Sequence, residues 1–390
     1  MPGVRRHRRH GARAAGVDSG AGGDLAPAQR IPNPLKVIGA DCVPDLDASA
    51  LTARLRDRIG PLRGFDNPKL VPLGGDRTLW LVTDPYVDLS GADEGPLQPT
   101  DYVHNTLLLQ EGSCFSLVQL VLDGRPWEFA PSTSDRDWFW PIGGGIGAGG
   151  LLYIFWSRMV EDGAQAFLDG ITRHPIETWL GVYDPATFAT IRFEWAPDSG
   201  VFPQYGSAVQ TAPDGFSYLF GNSNMLELSR EGGYGKPTPF SGTRMYLARV
   251  PAGQFELPPT YWDGRGWSTD ASAAAPISSR WSISNAMQPR LIDGVWYSAV
   301  KQDEFWGDRV VVERASAPQG PWRVVADVPV TAVVPADRAG TLMTTYQPVL
   351  LPRRAPNGTL SVLLSQNSAI WLESIADPRL YRPQVLAVRA

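Results

Sequence analysis

The stretch Gly150-Leu-Leu-Tyr153-Ile-Phe-Trp-Ser157 joins a turn glycine to a continuous apolar strand, with an aromatic at the fourth position and a polar residue at the end. The pattern returns as Arg77-Thr-Leu-Trp80-Leu-Val-Thr-Asp84, Gly215-Phe-Ser-Tyr218-Leu-Phe-Gly-Asn222, Gly294-Val-Trp-Tyr297-Ser-Ala-Val-Lys301 and Gly358-Thr-Leu-Ser361-Val-Leu-Leu-Ser365. Widely spaced copies of one short pattern signal a repeat fold in which each unit buries its apolar face against the next. Four of the copies follow a proline that opens an earlier strand: Asn67-Pro68, Trp140-Pro141, Gln288-Pro289 and Gln347-Pro348. Proline is tolerated at a strand's first residue. The remaining unit enters through Gln204-Tyr205-Gly206-Ser207. Each unit therefore starts as a hairpin, and segments such as Thr243–Val250 and Arg309–Arg314 add two more strands. Four-stranded sheets repeated about an axis are propeller blades.

The expected fold class is all-β: a five-bladed β-propeller with mostly four-stranded blades. Its domain spans 34–390, with blades at about 62–130, 131–200, 201–280, 281–335 and 336–390. Composition agrees, since 43% hydrophobic residues with 14 Trp supply a large core while 40 Gly and 35 Pro interrupt long helices. One short helix is expected, capped by Asp47 and running through Leu51, Leu55 and Ile59.

Residues 1–33 read as a disordered basic leader containing Arg5-Arg6-His7-Arg8-Arg9-His10. Paired arginines suggest export, but the apolar run of about 7–15 residues that an export signal needs does not follow. The expectation is a start site placed upstream of the true one and a leader without function. No span of about 20 apolar residues crosses a membrane. A net charge of −5 gives no attraction to nucleic acid. A monomer is expected, because a propeller needs no partner to close its sheet edges. Cys42 and Cys114 allow one disulfide without requiring it.

Chemistry narrows by elimination. Outside the leader only His104 and His174 occur, so histidine-based triads and clustered zinc ligands have little to draw on, and no metal or cofactor is expected. Gly145-Ile-Gly147-Ala-Gly-Gly150 has dinucleotide-type glycines, but a strand follows where a helix would be required, so it reads as a hairpin turn. Asn357-Gly-Thr359 fits a glycosylation acceptor and a turn equally. What stays is carboxylate chemistry. Asp66 begins the innermost strand of the first blade and Asp84 ends the next, and in an antiparallel hairpin those positions meet at one mouth. Paired carboxyls are what glycoside hydrolysis uses, one to protonate the leaving oxygen and one to activate water or attack. The competing structural reading is an Asx turn at Asp66 and a strand stop before Pro85.

Around that pair, Asp137 and Trp138 come from Asp135-Arg136-Asp137-Trp138-Phe139-Trp140. The strand entries add Asn67, Tyr205, Gln288 and Tyr346, and the strand ends add Asn222, Lys301, Gln302, Asp303, Gln366 and Asn367. Converging polar groups of this kind can hydrogen-bond sugar hydroxyls.

Phe65-Asp66-Asn67-Pro68, Leu79-Trp80-Leu-Val-Thr-Asp84, Asp137-Trp138-Phe139-Trp140-Pro141 and Tyr346-Gln347-Pro348 resemble the corresponding motifs of a family of actinobacterial propellers. That family was long labelled only as a domain of unknown function, and its characterised members are endo-D-arabinanases of glycoside hydrolase family 183. The resemblance runs from Leu62 to Val388. It implies cleavage of internal α-D-arabinofuranosyl linkages in mycobacterial arabinogalactan and lipoarabinomannan by Asp66 and Asp84. The position of Asp84 at a strand end, from which an acid can reach outward to the leaving sugar, makes it the expected acid and Asp66 the base, and inversion is the expected outcome. Such a polysaccharide substrate implies the cell envelope or secretion, although no signal peptide is recognisable. A second reading, from another class, is a non-catalytic propeller that binds a glycan or a protein on the same face.

Overall fold

The computed structural model describes residues 35–42, 47–91, 95–132, 134, 136–161, 173–201, 203–222, 243–280, 288–302 and 307–390. The leader, Asp135 and Asp303 lie outside them. The five quoted repeats are the second strands of five separate antiparallel sheets: Arg77–Val87, Leu152–Glu161, Phe216–Asn222, Val295–Lys301 and Leu360–Ser368. Each pairs with an innermost strand that precedes it, respectively Leu62–Gly74, Asp137–Ile146, Gln204–Thr211, Arg290–Ile292 and Met343–Leu350. The chain is a five-bladed propeller. The second and fourth sheets have four strands, the first and third carry extra ones, and the fifth stops at three with Gln384–Val388.

Packing explains the unbroken apolar runs. Sheets stacked face to face bury both sides of their inner strands, which then lose the alternation of a half-exposed strand. Beyond Arg77, Arg77–Val87 is buried at every position, whereas the outer strand Thr190–Trp195 is largely exposed. Five hydrophobic clusters each join two neighbouring sheets, so the seams between the blades form a closed ring. Turn chemistry sets the hairpins: Asp293 and Gly294 both have positive φ, 50° and 77°, as a two-residue hairpin loop of this hand requires. The Gly147–Gly150 segment closes a strand-to-strand turn, with the Gly147 amide donating to the Leu151 carbonyl at 2.8 Å. Asn357 spends its side-chain oxygen on the Thr359 amide and hydroxyl, at 3.0 and 2.7 Å, as a turn residue.

The ring closes without a fourth strand in the last blade. The helix Ala48–Arg56, capped by Asp47 through the Ala50 amide at 2.8 Å, lies against Gln384–Val388 instead. Thr52 Oγ1 there donates to the Val385 carbonyl at 3.0 Å and accepts its amide at 2.9 Å, standing in for a ladder pair. Leu51 and Leu55 point into the cluster shared by the first and fifth blades. Arg382 ties the same seam by donating to the carbonyls of Arg63 and Arg56, at 2.7 and 2.8 Å. A disulfide, Cys42–Cys114, fastens the added strand Leu35–Cys42 to the outer strand Cys114–Leu122 of the first blade. Among the described residues no helix is long and apolar enough to cross a membrane.

If the helix is what shuts the ring, Leu51→Ala should destabilise the protein by about 2–5 kcal/mol through the cavity it leaves. Leu342→Ala, at a side chain 62% exposed, should shift stability by no more than about 0.5 kcal/mol. Urea denaturation of both variants measures the difference.

Candidate active site

The innermost strand of the first blade breaks register between Asp66 and Lys69, and the fifth blade does the same between Tyr346 and Val349. At these bulges Asn67 and Gln347 take φ of 44° and 49°, and Asp84, on the neighbouring strand, takes 46°. These are three of the six non-glycine residues with positive φ among the described residues, and each immediately precedes a proline. A left-handed backbone on a residue with a Cβ is sparsely populated, and the following proline restricts it further. Such strain persists where surrounding contacts over-determine it. Here the Asn67 amide donates to Ser365 Oγ of the fifth blade at 2.8 Å, and the Asp84 amide donates to the His104 carbonyl at 3.1 Å. In the third blade the bulge falls between Tyr205 and Ala208 and is relieved by Gly206, φ 103°, whose added Cβ would stand 2.6 Å from Phe155.

Asp66 pairs in register with Thr83, so its carboxyl and that of Asp84 come to the same mouth, close enough for the Asp84 charge to act on Asp66. Tyr346 donates to Asp66 Oδ2 at 2.7 Å, while Oδ1 is sealed from solvent and no hydrogen bond reaches it. Loss of solvation and, next, the Asp84 charge push the Asp66 carboxyl up to about 7, against the opposing pull of Tyr346, Tyr381 and Lys69. Burial lowers Lys69 to about 7, and its ammonium donates to Asn67 Oδ1. Asp84 is held differently. Trp140 Nε1 and the Tyr102 hydroxyl donate to its Oδ1 at 2.8 and 2.9 Å, and His104 Nδ1 lies 3.4 Å away. Tyr381 reaches beneath both, its hydroxyl donating to the Asp84 carbonyl at 3.2 Å.

Tyr346 touches Asp66 directly, and Asn67 adjoins it. Asn367 belongs to the same group, because Tyr346 reaches its side chain and Ser374 donates to its Oδ1. Trp138 is buried and stacks on His104, centroids 4.5 Å apart and 16° from parallel. Asp137 is committed to Arg158, which donates to its Oδ2 through Nε at 3.0 Å and Nη2 at 2.5 Å. Three candidates sit in the interior. Tyr205 packs against Tyr261 in the cluster between the second and third blades, Lys301 is fully buried and donates to the Gly307 carbonyl, and Gln366 bridges both backbone groups of Val333. Gln288 is buried with its Nε2 unpartnered, Asn222 is half-buried with Oδ1 unpartnered, and Gln302 is exposed. Residues that the sequence reading did not select do more at the site: Tyr102, His104, Trp140 and Tyr381. The antiparallel rule that pairs Asp66 with Asp84, carried one strand further, reaches Tyr102 and His104.

At the rim, Ile370, Trp371 and Leu372 are exposed, and Trp371 packs edge-on against Tyr381 at 5.2 Å and tilted against Tyr86 at 6.3 Å. Tyr86 contacts Tyr102 at 5.3 Å, completing a line of aromatic rings from the rim to Asp84.

Residues 54–389 match the family model described as Domain of unknown function (DUF5005). The chain belongs to this family. Among solved structures, the DUF5005 chain is similar to a candidate hydrolase from Bacteroides ovatus, with 14% identity, a TM-score of 0.63 and coverage of 90% of this chain and 93% of that one. A GH43_1 enzyme from Xanthomonas citri in complex with xylotriose aligns at 13% identity and TM-score 0.46, over 88% and 93% of the two chains. An α-L-arabinofuranosidase from Podospora anserina in complex with cellotriose aligns at 10% identity and TM-score 0.44, over 92% and 97%. At these identities the likeness is one of fold. No curated protein matches the DUF5005 chain in sequence.

The raised Asp66 carboxyl has a consequence for stability. Its folded value of about 7 exceeds the unfolded value near 3.8, so the native state binds the proton more tightly. The stabilisation is complete below the unfolded value and is lost as pH rises through the folded one. Asp66→Asn should therefore stabilise the protein at pH 8 by on the order of 1–3 kcal/mol, a gain that fades toward pH 4. Denaturation midpoints of parent and variant at the two pH values test this, and an equal difference at both would refute it.

Proposed function

We propose that this protein is a glycoside hydrolase acting on an arabinofuranose polymer, with D-arabinan as substrate and Asp66 and Asp84 as the reacting pair. The observation that carries the reading is a carboxyl raised to about 7 by burial and by a second carboxylate beside it at one mouth. A carboxyl raised in this way is suited to act as a general acid. Asp66, short of solvation and pushed up to about 7, holds its proton near neutrality and is suited to protonate the leaving glycosidic oxygen. Asp84, its Oδ1 fixed by Trp140 and Tyr102, is suited to orient and deprotonate the attacking water. This reverses the roles expected from the sequence, where position alone made Asp84 the acid. The Asp84 side chain keeps contact with solvent, at 13% exposed.

In the proposed reaction the anomeric C–O bond breaks as the leaving oxygen takes the Asp66 proton. Water attacks the anomeric carbon, its proton passes to Asp84, and the configuration inverts. A neutral, hydroxyl-rich chain suits a mouth lined by Tyr346, Asn67 and Asn367, with Trp371 at the rim as an apolar face on which a sugar ring can stack. The resemblance in the first-blade and late Tyr346-Gln347-Pro348 motifs supports arabinan over other glycans.

Incubation with mycobacterial arabinogalactan should release arabino-oligosaccharides, and Asp66→Asn and Asp84→Asn should each lower turnover by about 10²–10⁴-fold. An arabinofuranoside with an activated aryl leaving group should restore rate to Asp66→Asn, which no longer supplies a proton, and not to Asp84→Asn. Rescue of the opposite variant would return the roles to the sequence expectation, and NMR of the first-formed anomer decides the stereochemistry. Trp371→Ala should raise KM for long arabinan about 2–10-fold with kcat unchanged. An active parent with an unaltered KM in that variant would remove Trp371 from the substrate path.

A further inference from the structure

Three side chains converge on one oxygen of Asp84 and leave the other open. Trp140 Nε1, the Tyr102 hydroxyl and His104 Nδ1 stand 2.8, 2.9 and 3.4 Å from Oδ1. Among the described residues no hydrogen bond reaches Oδ2, and that oxygen is not sealed from solvent. His104 is itself held on several sides. Its ring stacks on Trp138 and meets Tyr102 edge-on, with centroids 4.9 Å apart. Nδ1 lies 3.0 Å from the Tyr102 hydroxyl. Nε2 faces Glu128 Oε1 at 3.9 Å, and Glu128 is fixed in turn, its Oε2 accepting the Ser132 amide at 2.9 Å and the Ser132 hydroxyl.

Counting hydrogens assigns the donors. A phenol has one hydrogen, and an ionised carboxylate has none to give. With Asp84 ionised, as a base must be, the Tyr102 hydrogen lies in the 2.9 Å contact with Oδ1. The 3.0 Å contact between the Tyr102 oxygen and His104 Nδ1 must then take its hydrogen from the imidazole. The imidazolium and one of the two neutral tautomers both carry a hydrogen on Nδ1, so the count holds for either charge of the ring. We propose that His104 is a positioning residue, an Nδ1–H donor that joins Tyr102 and Trp140 in holding Oδ1, so that Oδ2 is the oxygen that takes the proton of the attacking water. Trp138 against the ring face and Glu128 facing Nε2 keep the imidazole from turning Nδ1 away. A carboxylate held by one oxygen presents the other in a fixed direction and spares the reaction that reorientation. The proposal rests on the reading of Asp84 as the base and adds which of its oxygens reacts.

Two substitutions separate donation from packing. His104→Phe keeps a ring for Trp138 and loses the donor, whereas His104→Asn sets an amide nitrogen near the Nδ1 position and loses the ring. In His104→Phe, kcat on arabinan should fall about 10–100-fold, as for loss of a hydrogen bond to a charged group. KM should stay unchanged, since the group that His104 positions acts in the chemical step. His104→Asn should retain most of the parent's kcat. The reverse order, with the Phe variant near the parent and the Asn variant impaired, would make the ring a packing element and overturn the proposal. Nitrogen-15 NMR of the histidine-labelled parent, with His104 assigned through its contact with Trp138, gives a readout that needs neither turnover nor a variant. Nδ1 should be protonated from neutral to alkaline pH, and a bare Nδ1 overturns the proposal whatever the kinetics. If the parent cleaves no arabinan, the functional reading falls, while the Nδ1 signal still decides whether His104 donates toward Asp84.

Discussion

The ring closes where the first blade meets the fifth, and the hydrogen bonds that hold this seam are also those that place the carboxylates. Tyr346 of the fifth blade donates to Asp66, Ser365 Oγ accepts the Asn67 amide, and the Tyr381 carbonyl accepts the amide of Phe65. Gly64 lets the two chains approach so closely that a Cβ there would stand 2.8 Å from the Tyr381 carbonyl. Closure and site geometry are one arrangement. A blade could not drift outward without pulling a hydrogen-bond partner from Asp66, which ties the geometry around the two carboxyls to the stability of the whole ring.

The same seam concentrates unfavourable contributions: three left-handed residues before prolines, a carboxyl short of solvation, and a lysine that burial lowers to about 7. Strain and desolvation of this kind gather at functional sites because they set charge and geometry, and the surrounding core offsets them. The offset here is visible in the cluster that runs from Leu51 and Leu55 on the helix through Trp80 and Val82 to Val349 and Leu363.

The fold was legible because each second strand is buried on both faces and so announces itself as an apolar run after a turn, five times over. The helix after Asp47 was legible from its cap and its spacing, ending at Arg56, before Ile59. What connects the last two strands of the last blade was not: the chain between Leu360–Ser368 and Gln384–Val388 forms the short helical turns Trp371–Ala376 and Pro378–Leu380, the second set by Asp377 capping and the proline after it. The meeting of Asp66 and Asp84 followed from hairpin pairing, although their strands start at Leu62 and end at Val87, beyond the expected start and stop. Tyr381 could not, because its partner Asp84 is 297 residues away in sequence and only ring closure joins them. Lys301 shows the converse: a polar residue at a strand end reads like a mouth residue, yet its ammonium is taken up by the carbonyl of a nearby loop residue, Gly307.

The disulfide at the outer edge of the first blade makes one surface of the protein conditional on redox state. With Cys42 and Cys114 joined, the strand Leu35–Cys42 covers the edge of Cys114–Leu122. Reduced, that strand loses its covalent tie, and each time it lifts from its ladder it bares a row of unpaired amides and carbonyls. An open strand edge is a template for another chain. One covalent bond far from the carboxylates thus governs whether this blade presents a finished margin or an adhesive one, and handling the protein under thiol reductants would favour self-association.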